Sequence, residues 1–237
     1  VVLSGAISAE YGRFTGGVVS AITKSGGNQF RGSLRDRLSN DAWQTRPKGS
    51  GEPSPLNVTN HALEGTLGGF VRRDSVWFFV AARDAENAMR RFTTLTGVSY
   101  QSDTHDQRAE AKLTARLSAR YSLIGSFVTS SLSETNVASS RTVGRVLDLE
   151  TLIPERRQPF SFLALTSTSI LPAQWFTEVQ YSTRTAALRG NGGGSTDRIL
   201  GTLLNVRGAN ATANAPFGCG ICGDDRRDSP AWSVKAS

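Results

Sequence analysis

Side chains that alternate between apolar and polar at successive positions, in stretches joined by very short and very long connections in turn, restrict this chain to antiparallel β-structure. Successive residues of a strand point to opposite faces, so a two-residue period marks a strand with two different surroundings. In residues 30–38, Phe30, Gly32, Leu34 and Leu38 share one parity, and Arg31, Ser33, Arg35 and Arg37 the other. Further strands are expected at 62–71, 75–83, 104–116, 121–133, 160–171 and 175–186, and 231–237 starts an eighth. Short turns at 72–74, 117–120 and 172–174 alternate with long connections at 40–60, 84–103, 134–159 and 188–230. A short hairpin around 199–206 fits inside the last of these.

Residues 104–116 test the reading, because their Ala, Glu, Lys and Leu content favours helix. A helical face through Ala109 would collect Lys112, Leu113 and Arg116, which is mixed. A two-residue period places Ala109, Ala111, Leu113 and Ala115 against Arg108, Glu110, Lys112 and Thr114, which separates cleanly. A strand is predicted.

Only 38% of the 237 residues are hydrophobic, and the longest clear apolar run is 76–82. That is far short of the roughly 18 residues needed for a spanning helix. Low hydrophobicity leaves a β-barrel open, since a barrel strand shows lipid only every second residue. Strands of about ten residues, brief turns on one side and long loops on the other match that architecture. Phe70, Trp77, Tyr121, Trp175 and Phe176 gather beside the short turns, where an interfacial girdle is expected. Asp36 interrupts the apolar parity of its strand and is expected near the membrane edge. In 75–83, Val76, Phe78, Val80 and Ala82 are the expected lipid face, although Trp77 and Phe79 make the other parity nearly as apolar.

Residues 8–24 contain Tyr11-Gly12, Gly16-Gly17, a β-rich run from Val18 to Ile22, and Thr23-Lys24. This order resembles the end of the plug in TonB-dependent outer-membrane transporters. The continuation Ser25-Gly26-Gly27-Asn28-Gln29-Phe30-Arg31-Gly32-Ser33 and Asn40-Asp41-Ala42 is similar to the Oar-like branch of that family, as is Leu67-Gly68-Gly69 before a short turn and an aromatic strand. The resemblance implies an all-β fold: an antiparallel up-and-down transmembrane β-barrel, with about seven or eight of its strands present, preceded by the C-terminal end of a plug domain. Residues 1–29 would end the plug and residues 30–237 begin the barrel. It also implies a receptor in the cell outer membrane, surrounded by lipid and lipopolysaccharide, that actively imports a large or scarce substrate. TonB would act through a segment absent from this chain. With no initiator methionine and no leader at Val1, the chain is read as an internal fragment.

Under this reading Tyr11, Gly12, Gly16, Gly17, Val18, Ile22 and Lys24 pack the plug against the barrel wall. Arg35, Arg37, Glu64, Arg108, Glu110, Lys112, Glu178 and Arg184 face the lumen and hold the plug through water and ion pairs. Cys219 and Cys222, the only cysteines, are expected to close a local loop disulfide. Hydrolase motifs are missing, the two histidines lie far from the cysteines, and no metal, cofactor or enzymatic activity is expected. The net charge of +7 invites a nucleic-acid reading, but the arginines are scattered without a packed basic run, so no nucleic-acid partner is expected. A passive porin or adhesin barrel and a soluble β-rich binding module are the alternatives.

Overall fold

The computed structural model describes residues 2–3, 18–19, 23–43, 45, 56–92, 97–137, 149, 152–172, 175–190, 204–206, 209–211 and 224–236. Its strands are β1 (Val2–Leu3), β2 (Val18–Val19), β3 (Arg31–Asn40), β4 (Thr59–Arg72), β5 (Val76–Phe92), β6 (Ser99–Ser118), β7 (Tyr121–Val137), β8 (Ile153–Ile170), β9 (Phe176–Leu188), β10 (Leu204–Val206), β11 (Ala209–Ala211) and β12 (Asp225–Ala236). Eight of them form one antiparallel sheet in the order β12-β9-β8-β7-β6-β5-β4-β3. β1 pairs with β2 and β10 with β11 in separate two-stranded ribbons. Each main-sheet strand lies beside its predecessor in the chain, with the β10–β11 hairpin as an excursion before β12. This is an up-and-down meander. Residues 104–116 are strand, all within β6.

Turns close the sheet at one end. Ser75 N–H donates to Arg72 C=O at 3.3 Å, and Asp74 takes a left-handed φ of 62°, which Asp tolerates better than most residues. Register shifts at Phe70/Arg72 and Arg116/Ser118 place a bulge beside each of the first two turns. At the other end the strands run on further than their alternation predicts. β5 and β6 have 17 and 20 residues and pair as far as Phe92↔Ser99, so most of the expected connection 84–103 is strand. β7 and β8 likewise extend to a Val137↔Ile153 pair, and β12 begins at Asp225, six positions before the stretch predicted from alternation. The reason is physical: main-chain pairing continues beyond the apolar zone, where both faces are polar and the two-residue contrast disappears. Pro159 marks one break in this upper zone. The β8–β9 ladder stops at Phe160↔Ala186 and resumes only at the Arg157↔Arg189 bridge, since proline offers no N–H.

The sheet is a single layer. Among the described residues only Phe79, Ala115, Leu152 and Ile153 are buried hydrophobics, while Leu34, Leu67, Val80, Leu113, Phe127 and Trp232 are among many large ones left exposed. No helix of the described residues is long and apolar enough to cross a membrane.

Candidate functional site

Directly opposed residues in an antiparallel pair project to the same side, so the register assigns every strand residue to a face. Arg35 opposes Glu64, which opposes Arg83, which opposes Arg108. Glu110 opposes Val128, then Phe162, then Arg184. Arg37, Lys112 and Glu178 fall on the same side by parity and pairing. All eight polar residues singled out above therefore share one face of the sheet.

The opposite face carries an apolar band. Its upper margin is oblique. On β4 the last apolar residue before the polar zone is Leu63, and on β12, proline aside, it is Trp232. The registered partners of Trp232 lead through Tyr181, Leu165, Gly125, Leu113 and Phe78 to Gly69 on β4, six residues from Leu63 after six strand-to-strand steps. One residue per step, with about 3.3 Å rise and about 4.8 Å between strands, corresponds to a band inclined by about 35° to the perpendicular of the strands. Asp36 lies on this face in the row of Leu63 and Asp84, at the band's margin, as expected. Beyond the band His61, Asp84, Glu86 and His105 approach one another, with His105 Nε2 2.7 Å from Asp84 Oδ1. Among the described residues no group of three or more such side chains could hold a metal ion.

Residues 23–30 cross the polar face near its short turns. Lys112 Nζ donates to the Thr23 hydroxyl and carbonyl oxygens at 3.1 and 3.3 Å. Asn28 ties the segment to the first turn: its amide donates to Asp74 Oδ1 at 2.5 Å, and its Oδ1 accepts from Asp74 N–H at 3.0 Å and from Trp77 Nε1 at 2.7 Å. Gly26 approaches the sheet so closely that a Cβ there would meet the carbonyl oxygens of Phe78 and Gly69. Lys24 and Gly26 line a groove of about 810 Å³ with Thr66, Gly68 and Phe79. This explains the apolar parity of Trp77 and Phe79, which face the segment rather than open water; Phe79 is only 8% exposed. The expected girdle is corrected accordingly. Trp77 and Phe176 project from the polar face, because they oppose Thr114 and Ile170, while Tyr121 stays on the apolar side opposite Ser169.

Besides Arg227 with Asp225 on β12, 2.8 Å apart, the paired charges on the polar face form two groups. Glu64 lies 3.8 Å from Arg35 and 3.6 Å from Arg83, and Arg83 reaches Asp106 at 3.5 Å. Toward the long connections Glu134 accepts from Arg156 Nε and Nη2 at 3.0 and 2.7 Å and from Gln158 at 3.1 Å. Glu178 accepts from Gln180 at 3.0 Å. Arg83, Asp106, Asn28 and Asp74 were not foreseen. Counting back by twos from Arg108 would have found Asp106, but nothing local signals the Asn28 contacts. Tyr11, Gly12, Gly16, Gly17, Ile22, Cys219 and Cys222 lie outside the described residues, and Val18 is described only as a strand residue.

The ion pairs of Glu64 are long and half exposed, so Glu64→Gln should change stability by less than ~1 kcal/mol, and by less still in high salt. Urea unfolding at two salt concentrations checks this. A loss of ~3 kcal/mol would indicate a dry environment for the pair.

Over 121 residues the chain is 29% identical to the TonB-dependent transporter Oar of Myxococcus xanthus, a match that covers 48% of this chain and 11% of that protein. The chain thus spans a small part of that relative's length. The similarity to a TonB-dependent transporter is partial. No family model and no solved structure matches the chain.

Proposed function

We propose that residues 1–29 end a plug and that residues 30–237 begin the barrel of a TonB-dependent receptor in the cell outer membrane, which imports a large or scarce solute. The observation that carries this reading is the oblique apolar band. An inclination of about 35° matches the tilt of strands in membrane barrels, and a single-layer sheet with so much exposed apolar surface is expected to be covered by lipid. The placement of residues 23–30 on the opposite, polar face supports a plug end inside the lumen, with Lys112, Asn28 and Gly26 at the contact. The partial likeness to Oar supports the choice of a transporter over a passive pore. TonB would engage a segment outside this chain, lipopolysaccharide would meet the strands beyond the band, and the long connections would select the substrate. No catalysis belongs to this reading.

Site-directed labelling tests it. In a Cys219→Ser/Cys222→Ser background, single cysteines at Leu67, Val80 and Phe127 should carry a fluorophore that brominated lipid quenches strongly. Cysteines at Thr66, Ala81 and Glu110 should not be quenched. Equal, weak quenching at all six positions would favour a soluble β-rich module and end the membrane reading. Alternation without any contact of residues 23–30 with the wall would favour a plugless porin or adhesin.

A further inference from the structure

The two faces of the sheet differ sharply in charge. Following parity and register through the eight strands, the polar face carries twelve Lys and Arg side chains against six Asp and Glu, a balance of +6. The apolar face carries four, counting Arg72 opposite Val76, against six, or −2. Nearly all of the chain's net +7 is therefore displayed on one side. Residues 1–30 do not offset it, since they contain Glu10 against Arg13 and Lys24.

Part of this charge is already satisfied within the sheet. Arg35, Arg83 and Arg156 sit in the ion pairs described above, and Arg116 lies over the Trp77 ring at 5.7 Å. Arg37, Arg91, Arg108 and Arg184 differ: they are exposed on the polar face and have no ion-pair or hydrogen-bond partner among the described residues. Arg108 even stands opposite Arg83, a like-charge pairing that costs stability unless an anion relieves it. A guanidinium presents a planar fork of donors that matches carboxylate, sulfate or phosphate oxygens. A wall of one sign also concentrates counter-ions of the other, the more so when it is enclosed by low-dielectric surroundings.

We infer that the polar face takes a polyanionic solute, one bearing several phosphate, sulfate or carboxylate groups, with Arg108 and Arg184 as central contacts. This rests on the reading of that face as a lumen, and it names the substrate class which that reading leaves open. The alternative destination for the charge is an acidic part of the plug.

The test uses the whole receptor in lipid vesicles, with inositol hexakisphosphate and a sulfated oligosaccharide as probes and inositol and spermine as uncharged and cationic controls. Both anions should bind in dilute salt, at least about tenfold more weakly at 0.3 M salt, and the controls should not bind. Arg108→Glu/Arg184→Glu should weaken anion binding at least tenfold. Arg108→Lys/Arg184→Lys should retain it within about threefold, and Arg226→Glu, on the apolar face, should leave it unchanged. Absence of anion binding, or an equal loss from Arg226→Glu, overturns the inference and favours neutralisation by the plug. Lipid quenching on the same preparation separates the two failures. If the alternation holds and the probes do not bind, the inference alone is wrong; if the alternation is absent, the lumen reading falls and takes the inference with it.

Discussion

Val80→Arg should destabilise the membrane-inserted protein by about 2–4 kcal/mol, whereas Ala81→Arg, one residue along the same strand, should cost no more than ~1 kcal/mol. Val80 opposes Leu67 and Ala111 within the apolar band, and an arginine there must either enter hydrocarbon or distort the bilayer around it. Ala81 opposes Thr66 and Glu110 on the polar face, where the new cation meets water and a carboxylate. The measurement is reversible urea unfolding in lipid vesicles, comparing each variant with the parent. Equal costs at the two positions would mean that the faces have the same surroundings, and the barrel proposal would not survive that result. In water Val80, 40% exposed in the sheet, should tolerate arginine with little loss, so the size of the difference is itself diagnostic.

Gly26→Ala should release residues 23–30 from the sheet, and Gly27→Ala should not. A methyl group at Gly26 meets the carbonyl oxygens of Phe78 and Gly69, the latter at 2.5 Å, while one at Gly27 has nothing within 4 Å. Both carbonyls belong to the backbone of paired strands and cannot swing aside as a flexible side chain would, so the segment itself must lift. Such overpacking costs roughly 1–3 kcal/mol. If the opening is fast relative to cleavage, each 1.4 kcal/mol raises the open population about tenfold. Trypsin should then cut after Lys24 about ten times faster in Gly26→Ala than in the parent, with Gly27→Ala at the parental rate. Trp77 emission should shift to the red in the same variant as its contact with Asn28 loosens. Identical digestion of both variants would place the segment elsewhere than on the polar face.

Which residues share a face was readable from the linear order, because a strand's period is local and needs no knowledge of its neighbours. Arg108, Glu110 and Lys112 separate from Ala109, Ala111 and Leu113 by parity alone, and Asp36 betrayed its place at the band's margin by breaking that parity. Strand ends were not readable above the band. In 84–92 and 99–103 both faces carry polar side chains, so pairing persists while the contrast that reveals it vanishes. Trp77 and Phe79 were ambiguous for a different reason, since their apolar surroundings come from residues about fifty positions earlier in the chain.

The amino-acid order by itself determined an all-β chain with one polar and one apolar face and its short turns, because these follow from nearby residues in the chain. Only the tertiary arrangement decided the stagger of one residue per strand, the ion pairs of Glu64 with Arg35 and Arg83, and the seat of Gly26 against Gly69 and Phe78. Each of those depends on which strand lies beside which and in what register, and hydrogen bonding between strands sets that over separations no local pattern records.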